Sequence, residues 1–343
     1  MTNNLMPFLV CPLCRGSLKS VAVNQVECLS CKTAYPVDDG IPILLSPQLE
    51  EFKILEAEFH SHEADYFAER AHRFSYRVFR YHDDYLTCFS SYQKGAVVFV
   101  VSGGGGLEAC RLKDMGLTVI ESDIAVGMVK RARRRAADDS QNVHAVFVVC
   151  DAEQLPCPDQ SLDAILIVAA LHHLPSPGRF FAAANRALKP GGQLVIGFEP
   201  NRWPYYTVMP VLRFLSRMLH PHRNIDPGET SIGDMETKGF VETDFESFLR
   251  AEGLKKVSLQ RIWYLGGFVQ LAVLYINSKR SIERMIDLPI ALQRVLVACD
   301  DFLSRIPLLR RFCWHWTLVA QRPYPDRGQQ RNISSFNNSA QDF

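Results

Sequence analysis

At 343 residues, 47% of them hydrophobic, the chain has enough apolar material for one large domain and a small one. Its formal net charge of +1 supplies no global field for nucleic acid or an anionic bilayer, so either partner would need a local patch. The longest apolar runs, near 164–171 and 268–276, fall short of the roughly 18 residues that span a membrane, and no signal-peptide pattern opens the chain, so a cytoplasmic protein is expected.

The ten cysteines divide into a group of four and six scattered singly, which is not a disulfide framework. Cys11-Pro12-Leu13-Cys14 and Cys28-Leu29-Ser30-Cys31 are two C-x2-C knuckles joined by a hairpin length of chain. Each knuckle can aim two thiolates at one point, so Cys11, Cys14, Cys28 and Cys31 predict a closed, structural zinc site. With the following Thr33 to Leu45, the segment resembles the zinc ribbon of free-standing methyltransferase activators and of some rRNA guanine methyltransferases. A fragment of about 45 residues needs such a metal to fold.

Residues 48–92 alternate charge with aromatics and lack glycine and proline, which predicts two or three helices packed on the next domain. His60, His62, His72 and His82 fall here and read as surface or partly packed residues, one of which could face a substrate.

From Ala96 the pattern becomes strand, helix, strand. Five apolar residues (Val97 to Val101) run into Ser102-Gly103-Gly104-Gly105-Gly106 and then a helix near 107–115. Strand patterns follow at 117–123, 143–150, 162–168 and 193–198, with helices at 128–137 and 177–188 between them. Continuous apolar strands separated by helices predict a parallel sheet covered on both faces, with ligands at the carboxyl ends of the strands. Those ends carry the glycines, then Asp123, Asp151 and His172-His173. Asp123 lies about 20 residues past the glycines, the reach of a carboxylate to ribose hydroxyls.

The block 97–199 resembles the class I S-adenosylmethionine-dependent methyltransferases. The resemblance rests on the glycine turn, Glu121-Ser122-Asp123-Ile124, Cys150-Asp151-Ala152-Glu153-Gln154-Leu155-Pro156, the run from Leu162 to Leu174, and Ala187-Leu188-Lys189-Pro190-Gly191-Gly192. It implies an α/β, Rossmann-like seven-stranded sheet. It also implies Asp123 on the ribose diol, Ile124 on the adenine face, Asp151 with Ala152 at the adenine amino group, Gly104 and Gly106 admitting the methionine portion, and Ser102, Gly103, Gly105 and Ala169 also in the cofactor site. Two positions depart from the pattern: Val100 stands where the family usually carries an acid, and Ser102 where it carries the first glycine of its turn. Glu108, one turn into the helix, reads as an exposed residue favouring the helix dipole.

After the fourth strand the chain reads Ala169-Ala170-Leu171-His172-His173-Leu174, not the Asn/Asp-Pro-Pro-aromatic run of exocyclic-amine methyltransferases, and no Pro-Cys nucleophile follows that strand. Transfer to oxygen or carbon of a small or lipid-like acceptor is therefore expected, with His172 and His173 as candidate bases. The run 199–206, a helix at 208–219 and the irregular 220–230 read as an acceptor lid. Phe240 to Glu252, 254–262 and 312–321 read as a further helix and two strands. Between those strands an insertion with Arg284, Arg294, Arg305, Arg310 and Arg311 offers an amphipathic surface for peripheral membrane contact.

The expected layout is a ribbon at 1–47, a helical cap at 48–94, the methyltransferase domain at 95–322 with lid insertions near 200–235 and 263–311, and a polar, disordered tail at 323–343. Two other functions fit the same layout. An RNA methyltransferase would use the ribbon on RNA, but residues 1–47 carry only Arg15, Lys19 and Lys32 as cations. A non-catalytic binding protein would explain Val100 and Ser102.

Overall fold

The computed structural model describes residues 6–71, 76–137, 145–219, 233, 239–277, 280 and 284–325. Four short strands come first, β1 (Leu18–Ala22), β2 (Gln25–Cys28), β3 (Ala34–Asp38) and β4 (Ile41–Leu44), followed by helices α1 (Glu51–Ala71) and α2 (Tyr76–Leu86). The alternating block then runs β5 (Val97–Val101), α3 (Leu107–Asp114), β6 (Thr118–Asp123), α4 (Val126–Ala137), β7 (Ala145–Cys150), β8 (Leu162–Val168), α5 (Pro177–Ala187) and β9 (Leu188–Pro200). The chain closes with α6 (Arg202–Leu219), α7 (Glu242–Glu252), β10 (Lys255–Ile262), α8 (Leu265–Asn277), α9 (Ile290–Ser304) and β11 (His315–Gln321).

The sheet has eleven strands in the order β1-β2-β3-β4-β7-β6-β5-β8-β9-β11-β10. Seven of these, β7 to β10 in that order, make the expected sheet, with β11 antiparallel to both β9 and β10. The other four extend it. β4 pairs in parallel with β7 through Ile43 opposite Val149 and Leu44 opposite Cys150, so the seven-stranded expectation is corrected to eleven. The physical cause is β4 itself, Ile-Pro-Ile-Leu, apolar on both faces and mostly buried. Placed beside β7 it covers a sheet edge that would otherwise expose unpaired backbone.

The ribbon does not stand off on its own core. Leu9, Tyr35, Val37 and Leu44 pack in one continuous apolar cluster with Val146, Val148, Cys150 and Leu155 of the larger sheet. Val10 donates its N–H to the Pro156 carbonyl at 2.9 Å. Lys130 of α4 reaches Asp38 at 2.6 Å, and Arg133 pairs with Asp39.

Helix α6 begins at Arg202, so residues 202–206 are helical and the strand-end loop expected there is absent. Pro204 falls in the first turn, where its missing N–H costs nothing, and Asn201 Oδ1 accepts the Trp203 N–H at 3.3 Å. Of the expected lid, 220–232 and 234–238 lie outside the described residues, as do His72 and the tail beyond 325. Helices α8 and α9 fill the insertion between β10 and β11. No helix among the described residues is long and apolar enough to cross a membrane.

Candidate functional site

The carboxyl ends of β5, β6, β7, β8 and β9 open on one cavity of about 690 Å³, roofed by α1, α2 and α8. Such a volume suits a nucleotide-sized ligand with a small second molecule. Four non-glycine residues on its wall have left-handed backbone: Ser102 (φ 50°), Ala169 (φ 50°), Phe198 (φ 56°) and Trp263 (φ 62°). Each such residue costs about 1–3 kcal/mol, and that strain is commonly stored where a ligand must meet backbone.

Within the glycine turn the positions differ in use. Gly104 (φ 55°) has no heavy atom within 4 Å of where a Cβ would stand, and it faces the cavity. Gly103 and Gly105 line the cavity as well. Gly106 does not: a Cβ there would meet Ala132 at 2.7 Å, so this glycine lets α3 pack on α4 instead of admitting ligand. A Cβ on Gly103 would meet Glu121 Oε1 at 2.1 Å.

Glu121 is fully buried, and among the described residues neither carboxylate oxygen has a hydrogen-bond partner. Its register partner across β5 and β6 is Val100, so the acid missing from β5 reappears one strand over, behind the glycine turn. Burial raises its pKa well above the ordinary value, reinforced by Glu108 and Asp123. Glu121 lies behind the turn and does not line the cavity, so it packs against the glycines and is not itself a ligand contact.

Asp123 is buried at the end of β6, with Oδ2 accepting the Gly104 N–H (3.2 Å) and Oδ1 the Ala125 N–H (2.9 Å). Burial raises its pKa above the usual carboxylate value, against those two bonds. Ile124 and Ala152 line the same half of the cavity. Asp151 caps the short turn 152–154 by accepting the Glu153 N–H at 2.9 Å. Its other oxygen accepts Lys53 Nζ at 2.8 Å, and Lys53 also reaches Glu153 at 2.9 Å. Burial alone would discharge Lys53, yet the two carboxylates hold its pKa above the ordinary value.

This buried triad ties α1 to the strand ends. Lys53→Met should cost about 3–5 kcal/mol by leaving Asp151 without its cation and Glu153 with only the more distant Arg179 at 3.8 Å. Denaturant unfolding measures it, and a loss under about 1 kcal/mol would show that the triad is not a unit.

His172 and His173 sit on a short turn after β8 and part to different acids. Glu199, fully buried at the end of β9, accepts the N–H groups of Ala170 (2.9 Å), Leu171 (2.8 Å) and His172 (3.1 Å). Its Oε2 also lies 3.0 Å from His172 Nδ1. One carboxylate thus fixes the turn and the ring together. His173 Nδ1 lies 2.9 Å from Glu56 Oε2 on α1, and His60 Nε2 lies 3.4 Å from the same oxygen. Burial opposes charge on Glu56, but its bonds to His173, His60 and the Gly233 N–H prevail and hold its pKa well below the usual carboxylate range. His315, half-buried on the cavity wall, has its pKa held down at about 3 by desolvation, with His172 adding to this, so it is neutral.

Glu108 is buried, against expectation, and its Oε1 lies 3.0 Å from His82 Nδ1 and accepts the Tyr85 hydroxyl at 3.1 Å. The two partners come from α2, so Glu108 joins the helical cap to the glycine turn instead of facing water.

At the ribbon, the four cysteine sulfurs lie within 4.8 Å of one another. Cys11 and Cys31 are 3.6 Å apart and Cys14 and Cys28 3.4 Å. A zinc ion roughly 2.3 Å from each sulfur sets edges of about 3.8 Å, so the donor set fits the ion with small adjustments. The Thr33 hydroxyl, 3.2 Å from Cys31, brings that thiol down to about 6.

Residues 100–196 match the family model of the methyltransferase domain, and residues 3–40 match that of the Trm112p-like protein. The chain is similar to a demethylmenaquinone methyltransferase of Renibacterium salmoninarum, 34% identical over 116 residues, covering 33% of this chain and 46% of the relative. It is also similar to the ubiquinone/menaquinone biosynthesis C-methyltransferase UbiE of Methylococcus capsulatus, 36% identical over 107 residues, covering 30% of this chain and 43% of the relative. The chain thus spans under half the length of these curated relatives. Among solved structures, phosphoethanolamine N-methyltransferase 2 of Haemonchus contortus, in complex with S-adenosyl-L-methionine, superposes with a TM-score of 0.51. It is 14% identical and covers 83% of this chain and 62% of its own, a likeness of fold.

Proposed function

We propose that the chain transfers a methyl group from S-adenosylmethionine to an oxygen or carbon of a small, apolar acceptor. The observation that carries this reading is one cavity with two unlike halves. One half holds the open Gly104, Asp123, Ile124 and Asp151, suited to a nucleoside with a charged tail. The other holds His172 braced by Glu199, beside Phe198, Trp263, Trp314 and His315, suited to an apolar molecule with one ionisable group.

When bound, S-adenosylmethionine supplies a methyl on a sulfonium, whose sulfur keeps the electron pair of the broken bond. The residues of the chain then have three tasks. Asp123 and the glycine turn hold the donor. The aromatic wall aligns the acceptor and excludes water. His172 takes the acceptor's proton, because Glu199 occupies Nδ1 and leaves Nε2 as the basic nitrogen.

The surface supports a lipid-like acceptor. Trp203, Tyr206, Val211, Phe214 and Met218 of α6 are exposed, as are Ile290, Val295 and Phe302 of α9, and Leu308 and Phe312 just beyond it. Segments 202–219 and 290–312 together carry seven arginines and two aspartates in a chain of net charge +1. Apolar side chains interleaved with arginine suit the interface of an anionic bilayer.

The test is to incubate purified protein with methyl-labelled S-adenosylmethionine and total cell extract presented with anionic vesicles. Label is expected in the organic-soluble fraction. Label confined to RNA or protein would overturn the reading.

A further inference from the structure

We propose that Glu56, His60 and His173 form a second metal site on the cavity wall, which binds a divalent transition ion and through it the oxygen of a phenol- or enol-type acceptor. The site is separate from the four cysteines of the ribbon, and nothing in the methyl-transfer reading requires it.

Glu56 and His60 lie four residues apart on α1, so both project from one helical face. His173 comes from the turn after β8. The three ligand atoms lie within 4.8 Å of one another, with Glu56 Oε2 at 2.9 Å from His173 Nδ1 and 3.4 Å from His60 Nε2. Ligand atoms roughly 2.1 Å from an ion stand about 3.0 Å apart in octahedral and about 3.4 Å apart in tetrahedral geometry. The two separations to Glu56 therefore match the edges of an ion's ligand set, and that between the two histidine nitrogens is within 4.8 Å.

The surroundings are those of a ligand set and not of a plain ion pair. Glu56 is buried, and its second oxygen is already held by the Gly233 N–H at 2.7 Å, which orients the first toward the histidines. A Cβ on Gly233 would meet His173 Nδ1 at 2.3 Å, so only glycine allows this approach. Two imidazoles and one carboxylate select a divalent transition ion such as zinc or iron over magnesium or calcium. All three side chains line the cavity, so an ion held by them would face it.

The consequence is chemical, and here the inference rests on the methyl-transfer reading. His172 and His173 are adjacent, with ring centroids 4.3 Å apart. Glu56, His60 and His173 would hold the ion, which would supply a Lewis acid for the acceptor oxygen; His172 would take the O–H proton, and the acceptor's oxygen or conjugated carbon would bond to the sulfonium methyl as the sulfur keeps the electron pair of the broken bond. The two histidines would thus divide the work: one through an ion, one as base.

The test counts ions and does not depend on turnover. Full-length protein is stripped of metal and titrated with Co(II), with absorbance and elemental analysis in parallel. The expected result is two ions per chain, one with intense thiolate charge-transfer absorption from the ribbon and one with only weak visible bands. In Glu56→Gln and in His60→Ala the second ion should bind at least about 10–100-fold more weakly while the thiolate band is unchanged, which also shows that the fold survives. One ion per chain in the wild type, or a second ion indifferent to both substitutions, would overturn the proposal. Donor binding, measured separately, reports on the methyl-transfer reading alone.

Discussion

His172→Ala is expected to lower the rate of methyl transfer by about 10²–10⁴-fold, the span typical of a lost general base. Affinity for S-adenosylmethionine should stay within about threefold, because in the proposed reading Asp123 and the glycine turn hold the donor and this ring serves the acceptor. The loss should fall on kcat, since the ring's work is done while the acceptor loses its proton. Glu199→Gln should behave differently. Glu199 accepts three backbone N–H groups besides holding His172, and the neutral amide keeps one oxygen acceptor but turns an N–H₂ toward other donors. Both the turn and the ring should loosen, so KM for the acceptor should rise along with a fall in kcat. Unchanged turnover in His172→Ala would remove this residue from the chemistry and leave the cavity a binding site.

Removing metal from the ribbon should destabilise the whole chain in a single transition. Zinc in such small sites contributes roughly 10 kcal/mol or more of folding free energy, and here the ribbon shares its core and its sheet with the larger domain. When β1 to β4 unravel, β7 becomes an exposed edge. Chelation, or Cys28→Ser, should lower Tm by about 10 °C or more in one cooperative step, as a loss of several kcal/mol does in a chain of this size. A separate low-temperature transition with the main one unmoved would mean that the ribbon folds apart. A shift under about 2 °C would mean that it holds no structural ion.

Much of this was legible along the chain because it is local. Apolar runs such as 97–101 and 162–168 mark buried strands, and glycines with strand-end acids mark the face where ligand binds. Two C-x2-C knuckles need no fold to be recognised. What was not legible is what distant segments bring to the same place. β4 pairs with a strand some 100 residues later, and neither sequence names the other. Lys53, Glu56 and His60 lie one, two and three turns into α1 on one face, a polar stripe that periodicity assigns to solvent. The cavity turns it inward, to meet Asp151, Glu153 and His173. The same applies to Glu108, whose burial depends on His82 and Tyr85 of α2. A signal existed for Glu199, an acid directly following four buried apolar or glycine positions, but its role as the turn's anchor appears only when β8 and β9 lie side by side.

Calorimetric titration of the zinc-loaded protein with S-adenosylmethionine, with Asp123→Ala alongside, tests the central claim most directly. Micromolar binding by the wild type is predicted, weakened at least about tenfold in the variant by loss of a buried, charged acceptor. Heat from neither protein, or equal affinity in both, would contradict the placement of a methyl donor at the carboxyl ends of β5 and β6.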